Sequence, residues 1–258
     1  MYFFLTQLAL TDIFLITVIL PNMLRIVLVV EAILQFHHCI AQFYFFGALE
    51  GMECFLLTVM SCDRYLAICK PLHYTMIMSH QNCLILVVTC WTLSFAILLI
   101  HPLIIVNLKF CGSNVIDHFF CDLDPILELS CSDTTILQLV VTSSSTLFVA
   151  IPFFLIIMSY VYIITTIFKI PSVTGRQKVF STCSSHLTVV SLFYGTLSCV
   201  YLAPRKGQSG NITKYLSLLY TVGTPLINPI IYSLRNKDLK KVGRKLINKL
   251  LNFYFNTN

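Results

Sequence analysis

Long stretches of the chain without Asp, Glu, Lys or Arg restrict its fold more than any other feature. Three of them are residues 134–168, 179–204 and 215–234, and most of their side chains are apolar. A run of about 18 or more apolar residues is long enough to cross a bilayer as a helix. Lipid offers no hydrogen bonds to the backbone, so irregular spans are excluded. The stretches therefore predict an all-α membrane protein.

The composition of the whole chain agrees with this prediction. Of its 258 residues, 57% are hydrophobic and only 11% are charged. That is too little charge for the water-facing surface of a soluble domain. We predict one transmembrane domain over residues 1–258, with a long outer loop at 107–133. Its six predicted spans are 2–24, 36–66, 83–106, 134–168, 177–203 and 213–234.

The net charge of +6 is unevenly divided between the two sides of these spans. One side holds most of the basic residues: Arg64, Lys70, Lys169, Arg176, Lys178, Arg235, Lys237, Lys240, Lys241, Arg244, Lys245 and Lys249. The other side holds the acidic residues Asp117, Asp122, Asp124, Glu128 and Asp133, with fewer basic ones. An excess of Lys and Arg marks the cytosolic side, so we expect both termini in the cytosol. The bilayer then accounts for the positive charge without a nucleic-acid partner.

Four cysteines lie on the predicted outer side, where disulfides form and persist. They are Cys39, Cys111, Cys121 and Cys131, and four cysteines allow three pairings that spacing does not separate. A metal site at His118 and Cys121 is the weaker interpretation, because no CxxC pair or second histidine cluster accompanies them. Asn211 begins an Asn-Ile-Thr glycosylation signal on the same side.

Three acidic residues fall inside predicted spans and away from the span ends, in positions where charge is expensive and usually functional. Asp12 lies in the first span, and either a structural hydrogen bond or an ion or switch site explains it. Glu50 and Glu53 are three residues apart, on one face of the second span. Two buried carboxylates that close do not both ionise cheaply, so at least one is expected to be protonated or paired with a cation.

After the last span, apolar residues recur every three or four positions between basic ones. They are Leu239, Val242, Leu246, Ile247 and Leu250. This pattern predicts a short amphipathic helix at about 237–251, lying in the cytosolic headgroup layer. A solvated tail is the alternative.

No known catalytic motif occurs in the sequence. There is no Gly-rich phosphate loop, no HExxH and no GxSxG. We therefore expect neither an enzyme nor a cofactor. A six-helix transporter is a competing class, but transporters tend to show internal repeats, and none is visible here.

A set of ordered landmarks resembles the olfactory receptors, which are rhodopsin-like G-protein-coupled receptors. The landmarks are MYFFLTQLALTDI at 1–13, Cys39, MSCDRYLAICKPLHY at 60–74, Trp91, the loop cysteines, SY at 159–160, KVFSTCSSHLTVVSLFYGT at 178–196 and PLINPIIYSLRN at 225–236. They cover nearly the whole chain. The resemblance implies a rhodopsin-like helix bundle with six of the usual seven helices plus the amphipathic C-terminal helix. This chain begins where the second family span would begin. A gene-model fragment, a pseudogene product and a truncated isoform are the open explanations.

The resemblance also implies a function. Such a receptor binds a small volatile odorant within the bundle, at the plasma membrane. It then activates a stimulatory heterotrimeric G protein, which raises cyclic AMP. A fragment that does not signal and stays in the endoplasmic reticulum is the alternative.

Specific residues take roles by the same resemblance. The disulfides would join Cys39 to Cys121 and Cys111 to Cys131. A buried polar cluster that holds sodium or protons in related receptors matches Asp12, Glu53 and Asn228. The cytosolic switch matches Asp63, Arg64, Tyr65, Tyr160 and Tyr232, with Asp63 restraining Arg64 at rest. The pocket floor matches Phe193, Tyr194 and Gly195.

Helical phase adds pocket-lining residues to that floor. They are Phe46, Gly47, Glu50, Ser144, Phe148, Ser198, Tyr201 and Thr221, beside Tyr194. Glu50 departs from the family, which commonly has a small residue there. Our hypothesis is that Glu50 biases the pocket towards amines or strong hydrogen-bond donors. The competing interpretation is a protonated Glu50 bonded to Tyr194 or to the backbone.

Overall fold

The computed structural model describes residues 1–29, 33–111, 115–202 and 215–235. The α-helices in this part are α1 (Tyr2–Leu28), α2 (Phe36–Cys69), α3 (Pro71–Ile77), α4 (His80–Leu98), α5 (Ile100–Ile105), α6 (Leu123–Glu128), α7 (Thr135–Ser145), α8 (Ile151–Lys169), α9 (Val173–Leu202) and α10 (Thr224–Arg235). Among these residues the only β-pairing is an isolated bridge between Phe110 and Ser130. The prediction of an all-α bundle is confirmed.

Four helical segments in the described part are long and apolar enough to cross a membrane. They are Tyr2–Leu28, Phe36–Cys69, His80–Ile105 and Thr135–Lys169. These segments overlap the first four predicted spans. Helix α9 and the helical residues 215–235 overlap the last two. The predicted amphipathic helix at 237–251 and the glycosylation signal at Asn211 lie outside the described residues.

Helix α2 is the centre of the bundle. It packs against α1, α4, α8 and α9. In the most apolar 18-residue stretch of α2, 61% of residues are buried. The corresponding fractions are 33% in Tyr2–Leu28, 22% in His80–Ile105 and 28% in Thr135–Lys169. Those three expose apolar side chains such as Leu84, Val88 and Phe154. In a helix that faces lipid, exposed apolar side chains are the stable arrangement. The side chains that carry chemistry therefore gather around α2.

Two helices widen into a π-helical turn just before a proline. Thr146–Ala150 joins α7 to α8 and precedes Pro152, and Leu219–Gly223 leads into α10 and precedes Pro225. A proline has no N–H and its ring crowds the carbonyl four residues earlier, so a wider turn relieves the contact. The first π turn contains Phe148, whose ring packs 5.0 Å from that of Phe55 on α2.

Two disulfides hold the outer loop against the bundle. Cys39 at the start of α2 is bonded to Cys121, with Cα atoms 5.4 Å apart, and Cys111 is bonded to Cys131 at 5.9 Å. These are the two pairings that the resemblance implies. The side chain of Gln42 adds polar bonds: its Oε1 accepts from the Cys121 N–H at 3.1 Å. The loop is thereby held above α2.

Candidate functional site

A cavity of about 620 Å³ lies beneath the outer loop. It is bounded by α2, α5, α6, α7, the first π turn and α9. The lining consists of Phe43, Phe46, Gly47, Glu50, Gly51, Cys54, Leu98, His101, His118, Asp122, Leu123, Asp124, Leu127, Gln138, Val141, Thr142, Ser144, Ser145, Phe148, Val149, Phe193, Leu197 and Ser217. Apolar walls with a few placed polar groups are typical of small-molecule sites.

The structure brings several of the predicted pocket residues together and places others elsewhere. Phe46, Gly47, Glu50, Ser144 and Phe148 line the cavity, and so does Phe193 from the predicted floor. The remaining predicted members that the structure describes are absent from the lining: Tyr194, Gly195, Ser198 and Thr221. Tyr201 lies in α9, but its side chain is outside the described residues.

The residues outside the lining have other surroundings. Tyr194 is buried and its ring packs 4.6 Å from that of Phe153 on α8. The Ser198 hydroxyl donates to the Tyr194 carbonyl at 2.7 Å, and the Thr221 hydroxyl donates to the Ser217 carbonyl at 2.7 Å. Serine and threonine hydroxyls on a helix commonly bond back to their own turn, and helical phase alone does not reveal this.

Several polar lining residues were not predicted. His101 is buried and its Nε2 lies 2.9 Å from the Ser144 Oγ, which bridges α5 and α7. A histidine inside a predicted span is itself a signal of function, so His101 could have been predicted from the sequence. Asp122 and Asp124 also line the cavity. Their position next to Cys121 was the available clue, because the disulfide brings that part of the loop over α2.

The predicted polar cluster is assembled at the middle of the bundle. The Asn228 side-chain amide donates to the Asp12 carboxylate at 3.2 Å, joining α10 to α1. Glu53 is 1% exposed and lies within hydrogen-bonding reach of Asp12. Within the described part, Glu53 Oε1 and Asn228 Oδ1 have no hydrogen-bond partner. No group of three or more His, Cys, Asp or Glu that could bind a metal occurs there either. The role of this cluster stays a prediction.

At the cytosolic end of α2, Asp63 is paired differently from our expectation. Its carboxylate accepts from the Tyr74 hydroxyl at 3.0 Å and lies 3.5 Å from the N-terminal nitrogen of Met1. Among the described residues it forms no ion pair with Arg64, and the restraint expected at rest stays a prediction. Burial and the nearby Asp63 carboxylate raise the pKa of Tyr74 to about 12.

Arg64 instead faces a polar cluster between α2, α8 and α9. It lies within electrostatic reach of Tyr160 and His186. His186 Nε2 is 3.2 Å from the Leu57 carbonyl and its Nδ1 is 2.8 Å from the Tyr160 hydroxyl. A carbonyl only accepts, so in a neutral imidazole Nε2 carries the proton and Nδ1 accepts from Tyr160.

This His186 bridge joins three helices, and the sequence interpretation had given His186 no role. Its position inside the motif KVFSTCSSH was the available signal. Tyr65, a predicted switch residue, packs against Tyr162 with ring centroids 5.9 Å apart. The side chain of Tyr232 lies outside the described residues.

Comparisons with known proteins agree with these observations. The family model described as "Olfactory receptor" matches residues 1–250. Human olfactory receptor 10AG1 is 45% identical over 251 residues, which are 97% of this chain and 83% of that protein. Rat olfactory receptor 1496 is 48% identical over 96% of this chain and 80% of its own length. Human olfactory receptor 10A7 is 46% identical over 97% of this chain and 80% of its own. The chain therefore belongs to the olfactory receptor family of G-protein-coupled receptors.

Proposed function

We propose that the chain binds small volatile odorants in the cavity beneath the outer loop and activates a stimulatory heterotrimeric G protein, which raises cyclic AMP. The observation that carries this proposal is the cavity itself. Its volume of about 620 Å³ is in the range of small-molecule sites. Phe46, Phe148, Phe193 and Leu197 supply apolar walls, while Ser144 and His101 supply hydrogen-bonding groups.

A ligand in the cavity can act on the cytosolic side through helix α9. Phe193 and Leu197 line the cavity from α9, and His186 lies about two turns further along the same helix. Through His186 that helix is bonded to Leu57 and Tyr160. A ligand that packs better against one position of α9 shifts the equilibrium between the two states of the bundle. We propose that the shift separates α9 from α2 near Arg64 and opens the site for the G protein.

The polar cluster of Asp12, Glu53 and Asn228 lies between cavity and switch, and we propose that it holds a proton or a sodium ion. Two adjacent carboxyl groups do not both ionise cheaply inside a membrane unless a cation joins them. The unsatisfied Glu53 Oε1 and Asn228 Oδ1 offer oxygens for that purpose. Oxygen donors of this kind suit a hard cation.

We also propose that the receptor acts at the plasma membrane with its C-terminus in the cytosol. The support is the excess of basic residues on the side that contains Arg64 and the tail. The outer loop, with its two disulfides, would then face the oxidising exterior.

The test is a cyclic AMP reporter assay in cells that express the whole chain with an epitope tag. Mixtures of volatile odorants are applied, and surface labelling of the tag measures how much protein reaches the plasma membrane. We expect at least one mixture to raise cyclic AMP in expressing cells and to have no effect on untransfected cells. Normal surface labelling without a response to any mixture would contradict the proposal. Retention inside the cell would instead support the non-signalling fragment.

A further inference from the structure

We infer that the cavity selects ligands that carry a protonated amine, and that Glu50 is the residue that binds the ammonium group. The inference rests on the proposed function, because it names the ligand class of the same site. It depends on three features of Glu50: its place in the cavity, its missing partner and the charge around it.

Glu50 lies on the part of α2 that lines the cavity. Gly47 and Gly51 line the same wall and have no side chains to cover the Glu50 carboxylate. The rings of Phe148 and Phe193 also line this cavity. A ligand atom can therefore reach the carboxylate directly, while its hydrocarbon part rests on the aromatic walls.

The carboxylate of Glu50 makes no hydrogen bond with any residue in the described part of the chain. Tyr194, the partner in the competing interpretation, packs against Phe153, and its buried hydroxyl has no hydrogen-bond partner among the residues that the structure describes. A carboxylate inside a membrane protein is costly unless a cation or hydrogen-bond donors satisfy it. Glu50 is therefore an acceptor whose partner is expected to come from the ligand.

The charges around Glu50 have the same sign. Asp122 of the outer loop acts electrostatically on Glu50. Asp124 also lines the cavity, and no Lys or Arg is among the lining residues that the structure describes. A low-dielectric cleft lined by one sign of charge concentrates the opposite sign. This field favours an ammonium group and disfavours a carboxylate ligand.

The aromatic walls are compatible with such a ligand. The face of an aromatic ring attracts a cation that lies within about 6 Å of the ring centre. Phe46 and Phe148 both line the cavity beside Glu50. The expected pose has the ammonium group at Glu50 and the alkyl chain along Phe148 and Leu98, where apolar burial adds affinity.

The test compares three ligands that share one hydrocarbon chain: hexylamine, hexanol and hexanoic acid. The whole chain is purified in lipid nanodiscs, and binding is measured as a shift in the thermal unfolding curve. The single tryptophan of the chain, Trp91, reports unfolding by its fluorescence. We expect hexylamine to bind at least about tenfold more tightly than hexanol, because hydrogen bonds to charged groups are the stronger ones. Hexanoic acid is expected to bind most weakly.

Two variants locate the effect. Glu50→Gln keeps the shape of the side chain and removes its charge, so hexylamine affinity should fall at least about tenfold while hexanol affinity stays nearly unchanged. Glu128→Gln removes an equal charge from an exposed position outside the lining, and it should change neither affinity. The preference of the unchanged chain for hexylamine is a separate test, which stands even if Glu50→Gln does not fold.

The outcomes separate this inference from the proposed function. Equal or tighter binding of hexanol by the unchanged chain overturns the inference, because Glu50 would then act as a neutral hydrogen-bonding acid. So does unchanged hexylamine affinity in Glu50→Gln. In both cases the proposed function stands, since the cavity still binds a small molecule. If none of the three ligands binds and no odorant mixture raises cyclic AMP, both the proposed function and the inference fail.

Discussion

Two polar side chains, Glu50 on the outer part of α2 and His186 on α9 against the cytosolic part of α2, are paired in opposite ways. At the outer end, Glu50 faces a cavity of about 620 Å³ and makes no hydrogen bond with the described residues. At the cytosolic end, both ring nitrogens of His186 lie within hydrogen-bonding distance of partners on other helices. Glu50 has no hydrogen-bond partner in the described part of the chain, whereas His186 joins α9 to α2 and α8.

This difference shows what each end can do. A site for an outside molecule needs an unsatisfied group in an open space, because the molecule then supplies what the protein lacks. A switch needs bonds between helices that form in one state and break in the other. The outer end meets the first requirement and the cytosolic end meets the second. The predictions below test this division, in order of decreasing effect.

The largest effect is expected from Arg64→Ala. Arg64 is 9% exposed and faces the His186 bridge, where the proposed opening of α9 would expose it to a G protein. The variant should abolish the cyclic AMP response to any activating odorant and should leave surface labelling and ligand binding close to normal. The matched control is Arg176→Ala, which removes another arginine from the cytosolic side and should still respond. A normal response from Arg64→Ala would show that the cytosolic end does not act as the switch.

The second effect concerns the outer end alone. Replacing a native disulfide typically costs about 2–4 kcal/mol, and more when the disulfide closes a longer loop. Cys39 and Cys121 are 82 residues apart, whereas Cys111 and Cys131 are 20 apart. The alanine double variant of the first pair should therefore lower the unfolding temperature more than that of the second pair. It should also weaken ligand binding, since it frees the loop above the cavity.

The control for both disulfide variants is Cys62→Ala, which removes a free thiol on the cytosolic part of α2. It should leave binding unchanged. If the two double variants were equally stable and bound ligand normally, the disulfide-bonded outer loop would not be needed to form the ligand site.

Most of the fold could be predicted from the sequence, because bilayer thickness and backbone hydrogen bonding leave few alternatives. The charge-free stretch 134–168 corresponds to the continuous segment Thr135–Lys169. Membership of a receptor family also confirms that the chain is not an enzyme. The π turn at Thr146–Ala150 was not predicted, although Pro152 marked a perturbed helix.

The candidate site was less predictable, for two physical reasons. Helical phase gives the face on which a residue lies but not the extent of the cavity, so Ser198 and Thr221 were assigned to the pocket although neither lines it. The outer loop and its short helix α6 give no long periodic pattern, and Asp122 and Asp124 were therefore missed. The contact of Asp63 with Tyr74 was not predicted either, because it depends on where the short helix α3 packs.

The third prediction compares two glycines on the cavity wall of α2. A Cβ atom at Gly51 would lie 2.9 Å from the Phe148 ring, whereas at Gly47 its nearest neighbour would be Leu98 at 3.9 Å. Glycine to alanine in a helix usually stabilises by about 1 kcal/mol, and overpacking costs about 1–3 kcal/mol. Gly47→Ala should therefore raise the unfolding temperature, while Gly51→Ala should lower it and weaken ligand binding by displacing Phe148. Equal behaviour of the two variants would mean that the cavity wall is not closely packed there.

The last prediction concerns the cytosolic end and the variant Tyr160→Phe. The change removes the hydroxyl that donates to His186 Nδ1 at 2.8 Å and leaves a buried nitrogen without its donor. The expected loss is about 1–3 kcal/mol, the usual cost of one buried unsatisfied group. Tyr162→Phe is the matched control, because the Tyr162 side chain is 53% exposed, and it should leave the unfolding temperature unchanged.

Ligand affinity separates the two ends in this last experiment. Tyr160→Phe removes a bond between α8 and α9 without touching the cavity lining, so the affinity for hexylamine should stay close to that of the unchanged chain while stability falls. A large loss of affinity would mean that the bonds of His186 and the cavity act as one unit. An unchanged unfolding temperature would mean that His186 finds another donor, since a buried ring nitrogen is costly to leave unpaired. The cytosolic end would then hold its helices together less firmly than these distances indicate.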